Sequence, residues 1–158
     1  MCSLSIRSFV HSNRRFAVIH FQLVSTDGPK FDDDVYEVLV PTQAGTIAVF
    51  EDHMPLVGAA APGLLSVRKK ANDRDDDMEQ FAITGGIVQI DGKQVRFISD
   101  EVTTSDDVSE REAEEAHARA EELMKNATTL VAIDEAKRVL HHRTAQLHLA
   151  RLKKRHHQ

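Results

Sequence analysis

The chain has one cysteine, Cys2, in 158 residues. That excludes an internal disulfide framework and any cysteine-based zinc cluster. Tryptophan is missing and there is one tyrosine, so positions on which nucleic-acid bases could stack are scarce. Positive charge is not in excess either. The formal net charge is −5, and the chain as a whole does not advertise nucleic-acid binding. No apolar run approaches the roughly 20 residues that span a bilayer. P-loop, Gly-rich dinucleotide fingerprint and nucleophile elbow are all lacking. Enzyme readings therefore start with little support.

Hydrophobic residues make up 41% and charged residues 28%, ordinary values for a globular chain. The length suits one domain, or one small domain with an appendage. Residues 1–19, MCSLSIRSFVHSNRRFAVI, carry Arg7, Arg14 and Arg15, several serines and no acid. Two readings stand: an overlong gene start that does not fold, or an organelle-targeting segment. No apolar core of secretory-signal length is present in this stretch.

Residues 20–104 read as short strands. HFQLVS alternates, with Phe21 and Leu23 on one face, and VYEVLV is rich in β-branched and aromatic residues. TIAVF, GLLSVRKK, EQFAITGG, IVQI and QVRFIS follow. Asp91-Gly92 is a hairpin signal between the last two. Gly85-Gly86 marks a bulge or a close backbone approach, and KKANDRDDDME an exposed loop. Such a series implies a small sandwich or barrel.

After Ser105 the period changes, so residues 105–158 read as a second unit. Ser105, Asp106 and Asp107 predict an acidic helix start. Ala113, Ala116, Ala120, Leu123 and Ala127 then step by three or four, the seam of a packed helix. A break at Asn126–Thr129 precedes a second helix to about Lys154, with Ile133, Ala136, Leu140, Thr144 and Leu147 as its stripe. Two such helices should form an antiparallel hairpin. The alanine-rich seam buries little apolar area, so the hairpin should be able to come apart or re-dock. The first helix is acidic, while no acid follows Glu135. That stretch is either paired within the hairpin and solvated, or a basic helix aimed at an acidic partner. His141 and His142 point about 100° apart, and His141 and His148 lie two turns apart, so neither pair makes a metal site.

PTQAGTIAV (41–49), HMPLV (53–57), PGLLSV (62–67), FAITGGIVQI (81–90) and VRFISDE (95–101), followed by two Ala-rich helices, stand in one family's order. The chain resembles the ε subunit of bacterial F-type ATP synthases, whose mitochondrial counterpart is called δ. The resemblance runs from His20 to the C-terminus. It implies an α+β fold, an N-terminal β-sandwich followed by a C-terminal helical hairpin. It also implies a non-catalytic rotor subunit that binds γ and the ring of c subunits and needs no cofactor, peripheral to the membrane. The bacterial form lies on the cytoplasmic face of the plasma membrane, and the alternative δ form on the matrix face of the mitochondrial inner membrane. Gly45, Thr46, Glu51, Asp52 and His53 fall on the family's contact loop. The Pro-Gly pair common before that histidine is Glu51-Asp52 here.

In many relatives the hairpin also acts as a brake, reaching up so that its basic helix meets the acidic region of the catalytic β subunits. Arg138, Arg143 and Arg151 are the candidate contacts. Some relatives bind ATP through Ile/Leu-Asp-x-x-Arg-Ala, but the matching stretch here, Val108 to Ala113, lacks both the Asp and the Arg. Arg119 is the one residual match, so tight ATP sensing is not expected. Two rival classes are a sandwich module with a basic arm for nucleic acid and a small hydrolase built on His53.

Overall fold

The computed structural model describes residues 18–156. Residues 1–17, which carry most of the targeting or overlong-start segment, lie outside the described residues. Strand alternation settles which residues face inward. In β1 (Ile19–Ser25) every odd residue is buried, and in β9 (Gln94–Ser99) Val95, Phe97 and Ser99 are. These two strands pair in parallel at the centre of a five-stranded sheet. Its order is β2 (Gly28–Val35), β1, β9, β8 (Gly86–Ile90), β5 (Leu56–Ala60). A second sheet runs β10 (Val102–Thr103), β7 (Glu79–Ile83), β6 (Gly63–Arg68), β3 (Glu37–Thr42), β4 (Gly45–Val49), all antiparallel.

The two sheets close on one core. Ile19, Phe21, Leu23, Val35, Val88, Val95 and Phe97 come from the first; Val38, Val40, Leu65, Val67, Phe81 and Ile83 from the second. Phe31 stacks between them, 5.6 Å from Phe21 and edge-on to Phe81 at 5.8 Å. Ile19 is fully buried, so the sandwich takes in one residue more than the stretch 20–104.

Three readings of the sequence need correction. VYEVLV is not one strand. Val35 ends β2 and Glu37 starts β3, and the chain crosses from one sheet to the other at Tyr36, whose N–H donates to the Arg68 carbonyl. Both valines that flank the crossing are buried, so continuous β propensity hid a corner. GPKFDDDV and LVGAA also form strands, β2 and β5, although Asp, Gly and Pro argue against strand. Both sit at sheet edges, where those residues are tolerated.

The third correction concerns the helix start. The helix α1 (Glu110–Asn126) begins at Ser109, whose Oγ accepts from the Glu112 N–H at 3.3 Å. Asp107 does not cap it. Its carboxylate accepts from the Thr104 N–H and hydroxyl instead, closing a turn, and these bonds hold its pKa below the usual value. The second helix, α2 (Leu130–His156), packs along α1 and also onto the outer face of the second sheet. There Ala145 and Leu149 meet Leu64 and Ala82. The buried set of α2 is therefore Ala136, His142, Ala145, Gln146, Leu149 and Ala150. Of the stripe read from sequence only Ala136 belongs to it, and Thr144 is exposed, bonded back to the Leu140 carbonyl.

Candidate functional site

The two outer sheet faces differ. The second sheet is covered by α2, whereas the first carries exposed apolar side chains in register. Ala59 pairs with Ile87, Ile87 with Ile98, and Ile98 with Val24, giving an apolar row across four strands. That row is about 14 Å long at the usual strand spacing. Ile87 is 56% exposed and Ile98 52%. The next row is polar. Gln89 and Arg96 are paired, Arg96 donates to Gln22, and Gln22 donates to Asp32. Beyond it His20 lies between Asp32 and Asp34 at 3.1 and 3.0 Å. An apolar stripe beside a polar network is the composition of an interface core with its rim.

The Glu51–His53 tip adjoins this face. β4 ends at Val49, and Asp52 adopts φ 59°, a left-handed conformation that Asp tolerates. Its N–H donates to the Gly92 carbonyl at 2.8 Å, which ties the tip to the β8–β9 turn. His53 Nδ1 donates to the Met54 carbonyl at 2.8 Å, so the ring braces the turn. Glu51 and Asp52 remain exposed. Met54, in the flank that leads into β5, and Val57, within β5, are exposed at 74% and 71%. Polar tip and apolar flank thus face outward together.

Gly45 and Thr46 are not part of that tip. They open β4 at its far end, roughly 17 Å away along five residues of strand. There the Thr42 hydroxyl donates to the Gly45 carbonyl, and Gly45 has φ 127°. The residues read as one contact loop therefore stand at opposite ends of a strand.

The three arginines of α2 are also placed differently. Arg151 pairs with Glu114 of α1 at 3.5 Å, and Arg143 donates to Gln146 at 2.7 Å inside the hairpin–sandwich contact. Arg138 is exposed, beside Lys137 and His141 over a cleft that also borders Gly85 and Gly86. Arg119 lines a different cleft of about 550 Å³, with Lys30 and Arg143. Asp27, Glu101, Asp107 and Glu112 line it too, so its acids outnumber its bases and a polyphosphate is disfavoured. Arg111, in the stretch matching the ATP motif, turns outward to Glu115. His141 and His148 are exposed. Sequence reading missed the apolar row because its members come from four strands, and only the register shows them as neighbours.

A two-sheet sandwich with one outer face covered by its own helices leaves the other, with its apolar row and polar tip, open to solvent. The β-sandwich domain model of the ATP synthase delta/epsilon chain matches residues 18–105. The chain belongs to the delta/epsilon family of ATP synthase chains. It is 30% identical to the ATP synthase epsilon chain of Nitrosomonas eutropha over 141 residues, covering 89% of this chain and 98% of that one. With the epsilon chain of Polynucleobacter necessarius it shares 31% over 113 residues, 72% of this chain and 79% of the other. The fold is similar to that of a chain in the mitochondrial ATP synthase of Euglena gracilis, solved with its c ring. The TM-score is 0.65 and the identity 18%, over 89% of this chain and 85% of that one. A chain of the Tetrahymena thermophila central stalk and c ring gives 0.52 at 16%, over 89% and 96%.

Proposed function

We propose that the chain is a non-catalytic rotor subunit of a proton-translocating F-type ATP synthase. The outer face of the first sheet takes the γ subunit, and the Glu51–His53 tip stands on the c ring, so that rotation passes between them. The single observation that carries this reading is the uncovered Ala59–Ile87–Ile98–Val24 row, continuous through β5 with the exposed flank of the tip. Surfaces of that kind mark partner contacts. No helix among the described residues is long and apolar enough to cross a membrane, and membrane association comes through the complex. The closed hairpin is one of two positions. In the other, α2 extends toward the acidic region of the catalytic β subunits, led by Arg138, and slows ATP hydrolysis.

Replacing Glu51, Asp52 and His53 together by alanine tests the tip. The expected outcome is weaker assembly on the rotor and lower proton-driven ATP synthesis, with the isolated chain still folded, since exposed changes shift stability by about 0.5 kcal/mol. Unchanged synthesis in the assembled enzyme would remove the docking role. The bacterial relatives favour the cytoplasmic face of the plasma membrane. The Arg- and Ser-bearing first 19 residues, where they are a targeting segment and not an overlong start, fit the alternative, the matrix face of the mitochondrial inner membrane. Subcellular fractionation separates them, by recovery of the native chain with the bacterial plasma membrane or with the mitochondrial inner membrane.

A further inference from the structure

His142 occupies the contact between α2 and the sandwich. Its side chain is buried, and its Nε2 is closed off from solvent with no hydrogen-bond partner among the described residues. One turn on, Ala145 begins the apolar contact with Leu64 and Ala82, and Leu149 continues it. Gln146, four residues on, donates to the Thr103 hydroxyl at 2.9 Å and accepts from Arg143. The ring is thus shut into the seam that holds the hairpin closed.

A neutral imidazole tolerates this position with one unmet lone pair. A protonated ring would carry a charge and a second N–H into the same enclosed space, at a far greater desolvation cost. The charges around it do not offset that cost. Glu101, on the turn after β9, favours the proton, and Arg143 on α2 itself opposes it; burial is the largest influence and lowers the pKa of the ring. From α1, Glu112 and Arg119 line the adjoining cleft with opposite signs, as do Asp27, Lys30 and Asp107 around it. The strands beneath α2 contribute Leu64 and Ala82 to the contact, while their charged ends are engaged elsewhere, Arg68 with Glu37 and Asp75, Glu79 with Lys69.

We propose that His142 is a proton-operated release: protonation of its buried ring detaches the helical hairpin from the sandwich. The sign follows from the two states. In the released hairpin the ring is solvated and titrates near its ordinary 6.5. In the closed hairpin its pKa lies lower. The closed state is therefore fully favoured above about pH 6.5 and loses ground as the pH falls below it, until the closed-state pKa is passed. Within that window the ratio of open to closed changes by about tenfold per pH unit. The switch resides in this chain alone and does not depend on the rotor reading.

Spin labels on Gln43→Cys and Lys137→Cys, in the full chain with Cys2→Ser, read the hairpin position by pulsed distance measurement. At pH 7.5 one short distance is expected. At pH 5.5 the open population should rise several-fold, up to about tenfold, while circular dichroism shows the sandwich intact. His142→Leu and His142→Gln should stay closed at both pH values. The proposal is overturned by a wild-type distance that does not change, by equal opening in both variants, by variants already open at pH 7.5, or by loss of the sandwich along with the opening.

Discussion

A β-carbon on residue 86 would lie 2.1 Å from the Ile98 carbonyl oxygen, and the backbone there has φ 147°. Gly86 is thus fixed both by strand contact and by conformation. Gly86→Ala should lower the unfolding free energy measured in urea by several kcal/mol; a change within about 0.5 kcal/mol would show that β8 can shift aside. Arg68 is a second fixed point. Its Nε donates to Glu37 at 2.8 Å, and the rest of the guanidinium holds the Asp73 carbonyl and Asp75. Glu37 and Arg68 face each other in the β3–β6 register and are both mostly buried. Arg68→Ala leaves Glu37 enclosed without its cation, with an expected loss of about 3 kcal/mol in chemical denaturation. A second change, Glu37→Leu, should recover most of that loss, since a buried pair costs more to break than to remove. No recovery in the double variant would place the loss in the Asp73–Asp75 loop. Gly85-Gly86 was legible in the sequence because two adjacent glycines in a strand run signal close approach. The Arg68 network was not, since its partners lie 5 to 31 residues away in the chain.

The helical hairpin is the element where sequence and structure diverge most. The period of α1 was legible in part: Ala113 and Ala120 are buried and Ala116 and Ala127 half-buried, but Leu123, read as part of the same seam, is 58% exposed. For α2 a single apolar stripe was the wrong template. The helix serves two neighbours, α1 and the second sheet, so its buried face is wider, and it includes His142 and Gln146, which a search for apolar residues passes over. The closed geometry also changes what charge reversal tests. Arg151→Glu would set a carboxylate against Glu114 and weaken the hairpin contact, and Arg143→Glu would disturb the bond to Gln146. Arg138→Glu is the clean probe, because Arg138 is exposed in the closed state. If α2 brakes hydrolysis by attraction to an acidic collar, Arg138→Glu should raise ATP hydrolysis by the assembled complex, with synthesis largely unaffected. Deleting residues 130–158 should raise it further, at the expense of exposing Leu64 and Ala82. Hydrolysis unchanged in both variants would make the hairpin a structural cover only.

For the whole molecule, a strand domain followed by paired helices followed from the change of period near Ser105, while a sandwich in place of a barrel came only with the family resemblance, which rested on an ordered set of short motifs. What the sequence could not show is how the faces are used. Leu64 and Ala82 of one sheet and Ile87 and Ile98 of the other are all outward positions, yet α2 covers only the first pair. Which sheet receives the helices is a matter of topology, and the answer leaves the outer face of the other sheet uncovered, the face proposed above for docking. Ile87→Asp with Ile98→Asp addresses the proposed docking most directly, through binding of the full chain to a γ subunit by calorimetry. Both side chains are more than half exposed, so the variant should remain folded, with a loss of about 1 kcal/mol from two carboxylates set opposite each other across β8 and β9. If both become buried in the interface, losing them removes about 1.5–3 kcal/mol each, and the affinity should fall at least 100-fold. Undiminished affinity in a normally folded variant would contradict docking through the first sheet.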